Sequence, residues 1–596
     1  MKKSFFSILI ALAMVLAACG GSEDTKKSSE NGVTEVPGST VIEPSETEKD
    51  APKMTVFGPY EVDPSAVTDK NKDVYQEPEA GTYIAVTLAD GASSAQGKGV
   101  VVMNNSLLIN EKGAYMLSGT LTDGTVTVDV PDTDDVILYL NGVNITSKTS
   151  APLYIRSADK VVISLMPGTE NTLTDTVSST DGTTSITAAL FSHCDLAING
   201  TGKLTVNGNA NDGITTKDDL KIMSGTVEVH AADDGMVGKD SFVMRDGLVT
   251  VAAGGDGVKS SKEEAGKGFV YVSGGTLNID AAGDGIDAAT SVLLADGNVN
   301  VRSGGGSGAK TSMPGFNFSN WGNGNTNSAA AASSMKGIKA GYYIDITGGV
   351  IVIDAQENAV SSKGAIHLFG GAVHADTGND AFHTESDFYM IRGILTSNSC
   401  EEMIEGATIT IEGGVISAST RDDGLNATGY NDKTNKSAPG NYSGNPNASD
   451  QFGGANIVIN GGTLSFAPLG DGIDSNGSIA LNGGTITMTG PLSTDEGAFD
   501  YLGTFEINGG EFICITSAQH VNKPTSAKQA YLTLSGFTGA QGDVVAVKDA
   551  SGKELLTVTA KIGWQAVYAS SASFTEGSSY TITVNGKDAG TAAAVK

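Results

Sequence analysis

The sequence predicts an all-β chain wound as a parallel β-helix, and three observations carry that prediction. A tripeptide of acid, glycine and apolar residue returns every 22 residues, a second glycine marker holds the same phase, and the residues between them alternate as strands do. Asp212-Gly213-Ile214, Asp234-Gly235-Met236 and Asp256-Gly257-Val258 stand 22 residues apart. After a six-residue insertion comes Asp284. After a longer one come Lys336, Asn358, Asp380 and Glu402, again at 22. Asp423 follows at 21, then, past another insertion, Asp471 and Glu496. Gly225, Gly275, Gly349, Gly371, Gly414, Gly462, Gly484 and Gly510 form the second marker.

Between markers lie runs such as Leu220-Lys221-Ile222 and Thr226-Val227-Glu228-Val229, whose β-branched residues at period two fit strands rather than helices. Glycine is expected to supply positive φ at the corners. One unit cannot bury its apolar face alone; stacked on its copies it forms a continuous core, with coils rising by about 4.8 Å. A calcium-binding nonapeptide roll repeats at nine residues, not 22. The strict repeat covers 191–516. Residues 76–190 show the same strands in looser register and read as irregular first coils and a cap. Residues 517–596 alternate like a small antiparallel unit with Asn585-Gly586 as a turn, closing the other end.

Lys2 and Lys3 followed by the apolar run Phe5–Val15 form a signal peptide over 1–18, too short for the ~20 residues of a membrane span. Leu16-Ala17-Ala18-Cys19 resembles a bacterial lipobox, which implies lipidation of Cys19 and an extracellular protein held to the bacterial membrane. Residues 19–75, polar and poor in aromatics, read as a flexible tether. Cys194, Cys400 and Cys514 match no zinc spacing and read as small buried hydrophobes. Acids outnumber bases 68 to 37, giving a net charge of -31. Nucleic acid is thereby excluded as a partner, and divalent cations are favoured.

The repeat places an acid at one corner of coil after coil, doubled at Asp233-Asp234 and Asp422-Asp423. Carboxylates stacked about 4.8 Å apart repel unless neutralised, and Ca²⁺–oxygen bonds of ~2.3–2.6 Å fit between them. The expected metal ligands are Asp212, Asp233, Asp234, Asp256, Asp284, Asp380, Asp422, Asp423 and Asp471. An Asx-turn is the alternative use of each aspartate taken singly. The insertion at 303–334 carries Phe316, Phe318 and Trp321, and that at 429–455 carries Tyr430, Tyr442 and Phe452. They are expected to wall a groove whose floor holds His367 or His383, with Asp380, Glu385, Glu402 and Glu405. Aromatic faces with polar neighbours suit a sugar.

The runs Asn211–Ile222, Ala231–Asp240, Ala253–Ser260 and Leu469–Ile479, with Gly119–Val128 and Thr169–Asp175 upstream, resemble the carbohydrate-binding domain-containing β-helix lipoproteins of clostridia and their relatives. That resemblance implies a right-handed β-helix similar to polysaccharide lyases, which binds calcium with cellulose-like or polygalacturonate-like glycans and is not known to be catalytic. Lys336, Asn358 and Glu402 depart from its Asp-Gly corner. The expected function is Ca²⁺-assisted polysaccharide binding by a monomer. A calcium-dependent lyase, with Lys336, Lys339, Lys363, Arg392 or Arg421 as base, and a structural adhesin are the alternatives.

Overall fold

The computed structural model describes residues 60–180, 182, 184–308, 334–430 and 454–596. They form a parallel β-solenoid of about 15 turns. A typical coil holds three strands, illustrated by Met236–Gly238, Ser241–Met244 and Leu248–Ala253. The short strand follows the acidic corner. The other two meet at the glycine marker, where some coils run straight through as one strand, such as Phe269–Ala281.

Register is strict. On the short-strand sheet, Leu190, Ile214, Met236, Val258, Ile286, Ile338, Val360, Phe382, Ile404, Leu425, Ile473 and Phe499 lie one above another. All are buried, inside one core cluster that reaches from Val86 to Tyr568. The file continues upstream through Leu153, Val126 and Leu107, so the loose N-terminal register is that of the sequence, not of the stacking. Antiparallel pairs Val86–Ala95 and Val100–Ile109 close that end. At the other end Glu511–Thr516 turns antiparallel against Trp564–Ser570, and a second core with its own four-stranded antiparallel sheet follows. Asn585 and Gly586 sit at φ 51° and 75°, the hairpin turn their sequence signals. Cys194, Cys400 and Cys514 are buried and unpaired.

The two glycine markers do different work. The second has positive φ in every coil, for example 81° at Gly349. The corner glycine does not; it is there for close approach. A Cβ on Gly337 would lie 2.4 Å from Ile353 Cγ2 and 2.5 Å from Ala359 O. Where the corner carries alanine instead, at Ala359 and Ala381, the residue at the equivalent facing position shrinks to Ala375 and Ser397. One further expectation shifts by a residue: the Gly472 N–H donates to Gly497 O (2.9 Å), so Gly497 and not Glu496 occupies the last corner.

Residues 60–75 are not free tether. They run as a strap down the outer face of the solenoid. Tyr60 stacks on Tyr342 with ring centroids 4.1 Å apart, and Val62 packs with Val243, Tyr271 and Leu293. Arg245 donates to Val67 O (2.6 Å), Lys221 to Thr68 O (2.7 Å) and Asn199 to Asp73 O (2.8 Å). The segment's few apolar residues match an apolar patch on that face, which composition averaged over 19–75 conceals. Residues before 60, including Cys19, lie outside the described residues.

Gly337→Ala is expected to cost about 1–3 kcal/mol by overpacking. Pairing it with Ile353→Ala should cost measurably less than the two single losses added together, as read by denaturant unfolding. Strict additivity would refute the exchange of volume between corner and facing strand.

Candidate functional site

Two parallel files of side chains define the functional face. The corner file runs Asp212, Asp234, Asp256, Asp284, Lys336, Asn358, Asp380, Glu402, Asp423, Asp471. Three residues further along each coil, the middle of the short strand points outward. That file runs Thr215, Val237, Lys259, Asp287, Lys339, Ser361, His383, Glu405, Asn426, Asp474, Asp500.

The corner acids are aligned as expected but do not face solvent. Asp284 is 1 % exposed and Asp423 8 %. In several coils one oxygen of the corner acid caps the next coil. Asp256 N–H donates to Asp234 Oδ1 (2.8 Å), Asp284 N–H to Asp256 Oδ1 (2.9 Å), Lys336 N–H to Asp284 Oδ1 (2.7 Å) and Asp471 N–H to Asp423 Oδ1 (2.6 Å). This explains why asparagine serves at 358: its Oδ1 takes the Asp380 N–H at 3.2 Å.

The second oxygen separates the two halves of the face. In the N-terminal half the outward file brings the cation. Lys259 Nζ lies 3.0 Å from Asp234 and 2.7 Å from Asp256; Lys339 Nζ lies 2.9 Å from Asp284 and 3.2 Å from Asp287. Burial opposes the charge on Lys259, but Asp256 and Asp234 outweigh it and raise its pKa. Asp212 is filled by hydroxyls, Thr215 Oγ1 at 2.9 Å and Thr187 Oγ1 at 3.2 Å. Of the expected metal ligands, Asp234, Asp256 and Asp284 are thus paired with lysines and Asp212 with hydroxyls. Asp233 is exposed on the turn.

The centre is held by His383, whose Nδ1 lies 3.3 Å from Asp380 and 2.5 Å from Glu405. Burial disfavours the imidazolium, yet these two carboxylates push its pKa up to about 10.

Beyond it the file carries acids with no basic partner among the described residues. Oxygens of Asp471, Asp474 and Asp500 lie within 4.8 Å of one another. Burial, reinforced by Asp422 and Asp474, lifts Asp423 to about 8. Burial lifts Asp471 to about 9, and Asp474 to about 7 with help from Asp500. Glu402 rises to about 9 by burial, against a hydrogen bond from Asn426, and with Glu405 and Asp380 adding to the rise. Glu402 Oε2 and Asn426 Oδ1 are buried with no hydrogen-bond partner among the described residues. Hard oxygens in excess of protons or cations are the donor set Ca²⁺ takes. Among the described residues, Asp471, Asp474 and Asp500 are close enough together to hold such an ion. Asp474 and Asp500 were missed in the sequence because they follow the corner by three residues; the D-G-I-D run at 471–474 was the available signal.

A cleft of about 540 Å³ lies on the same face. It crosses five coils, from Ser260 through Asp287, Lys339 and Ser361 to His383 and Glu385, some 19 Å at the ~4.8 Å coil spacing. Hydroxyls and charges line it. Of the lysines there, Lys336 pairs with Glu357 (3.1 Å) and Lys339 with Asp284, while Lys363 has no ion-pair partner among the described residues.

Residues 103–381 match the family model described as carbohydrate-binding domain-containing protein. That segment is thus similar to the carbohydrate-binding domain-containing family. A curated relative of the same description from Acetivibrio thermocellus is 42 % identical over 136 residues, 22 % of this chain and 48 % of the relative. The chain thus spans about half the length of that relative. A solved structure, described as a polysaccharide lyase-like protein from C. thermocellum in its gadolinium derivative, is similar at 38 % identity. It covers 37 % of this chain and 92 % of that one, with a TM-score of 0.36.

In this chain, the structure gathers only some of the expected sugar-site residues. His383 and Glu385 line the cleft. Tyr430 is 43 % exposed and hydrogen-bonds Asp387. Phe316, Phe318, Trp321, Tyr442 and Phe452 lie outside the described residues. His367 is not on this face: it sits beside Asp345 (2.8 Å) on the sheet that carries the strap, because alternation along its strand points it there. Arg392 and Arg421 donate to backbone carbonyls of Phe369, Thr377 and Gly378, away from the cleft.

The raised carboxyls set a pH dependence. The native state holds their protons more tightly than the unfolded chain, so their stabilising contribution is complete below about pH 4 and lost as pH rises through about 7–9. In metal-free buffer the melting temperature should fall across that alkaline window, and Asp471→Asn should flatten the fall. A melting temperature that rises with pH there would contradict this.

Proposed function

We propose that the chain is a non-catalytic, surface-held receptor for an acidic polysaccharide, assisted by Ca²⁺. The observation that carries this reading is the split face: one cleft offers Lys363 and the His383 imidazolium, and the same file continues into carboxylates that lack a cation. A uronate chain laid along the coils meets the Lys363 ammonium in the cleft, beside the ion-paired Lys336, Lys339 and His383. Toward the C-terminal acids it would meet repulsion, and Ca²⁺ held by Asp423, Asp471, Asp474 and Asp500 turns that repulsion into a bridge. Hydroxyl groups such as those of Ser260 and Ser361 match sugar hydroxyls. The similarity of 103–381 to that family supports glycan as the ligand class, and the cleft lies within or beside that segment.

Binding to polygalacturonate and to a neutral β-glucan, each with Ca²⁺ and with EDTA, tests this. Polygalacturonate binding should weaken at least about tenfold in EDTA, and Lys363→Ala with His383→Ala should weaken it by a similar factor, the scale of losing a charge-assisted hydrogen bond. Binding indifferent to EDTA and to both substitutions would sink the proposal. Release of unsaturated sugar ends, seen as ultraviolet absorbance, would favour the lyase alternative instead.

The N-terminal residues support a lipid anchor at Cys19 on the outer side of a bacterial membrane. Expressed in a bacterium that processes lipoproteins, the full chain should enter the detergent phase, and Cys19→Ala should leave it in the aqueous phase. Equal partition of both would remove the anchor.

A further inference from the structure

We infer that Lys160 and Asp73 become joined by an isopeptide bond that fastens the N-terminal strap covalently to the solenoid. Lys160 Nζ lies 2.5 Å from Asp73 Oδ1, with side chains 3 % and 0 % exposed. Pairs at the same distance elsewhere, Lys203–Glu228 and Lys267–Asp240, leave their lysines 39 % and 40 % exposed, where water solvates the charge. Here there is no such relief. Despite its closeness to the amine, Asp73 Oδ1 has no hydrogen-bond partner among the described residues. Oδ2 is occupied by the Lys70 N–H at 2.9 Å, and Asn199 Nδ2 holds the Asp73 carbonyl at 2.8 Å. The carboxyl group is thus fixed from two sides while the amine rests against it.

The surroundings exclude water. The outward-facing residues next along the strands, Val162 and Ala197, are 1 % and 0 % exposed. Desolvation of two opposite charges is costly, and condensation to a neutral amide removes both charges. Lys160 is flanked across the sheet by Asp135 and Asp195. Asp135 Oδ1 is buried without a hydrogen-bond partner among the described residues, and burial, then Asp219, holds Asp195 above the usual carboxyl range.

In the step, Nζ attacks Asp73 Cγ, a C–N bond forms and a C–O bond breaks. The ammonium gives up two protons, which leave with the carboxylate oxygen as one water. No oxidant or cofactor enters. Fixed geometry of this kind supplies effective concentrations of roughly 10⁵–10⁸ M, enough to drive a condensation that free groups in water do not complete.

Intact mass of the denatured full chain tests it. The wild type should be lighter by one water than its sequence requires, whereas Lys160→Arg and Asp73→Ala should have their full sequence mass. Tryptic digestion of the wild type should give one branched peptide containing both Asp73 and Lys160. Full mass with separate peptides overturns the proposal, and so does a lost water that maps to an Asp-Gly succinimide. The wild-type measurement decides even where a variant fails to fold.

Discussion

Coils that stack in register force every side chain to sit directly between its own copies, about 4.8 Å above and below. For Ile, Val and Leu this is pure gain, since like shapes pack and the core extends without interruption. For an acid it is a problem to be solved at each level. The corner file solves half of it with backbone: in several coils one oxygen of the aspartate takes the N–H of the next coil, at 2.8 Å for Asp234 and 2.6 Å for Asp423. The acid is therefore part of the winding machinery before it is part of any site.

The other oxygen decides function. Lys259 and Lys339 neutralise it in the N-terminal half; Glu405, Asp474 and Asp500 aggravate it in the C-terminal half. One repeat, by changing a single outward residue per coil, thus produces a stretch neutralised by lysines beside one crowded with carboxylates. The cleft from Ser260 to His383 lies mostly over the former.

The strap shows a second consequence of stacking. A solenoid has no contacts between distant coils, so its stability is local. Tyr60 to Tyr75 cross several coils and tie them from outside, from Tyr342 down to Lys160. A covalent link at Lys160 would make that tie permanent.

Period, phase and strand content were legible in the sequence because a solenoid repeats its own constraints: Asp-Gly at the corner and glycine at positive φ leave a mark every 22 residues. The antiparallel C-terminal unit was legible from Asn585-Gly586 for the same local reason. Which acids need a cation was not, because the answer lies in the residue stacked 22 positions away as much as in the corner itself. Asp212 and Asp471 look alike in sequence; Thr215 and Thr187 satisfy one, while Asp474 and Asp500 crowd the other. His367 and His383 likewise differ only by the sheet their strands join. The sequence by itself determined the winding. Tertiary structure alone decided which charges meet, since charge balance is a property of neighbours between coils and not of neighbours along the chain.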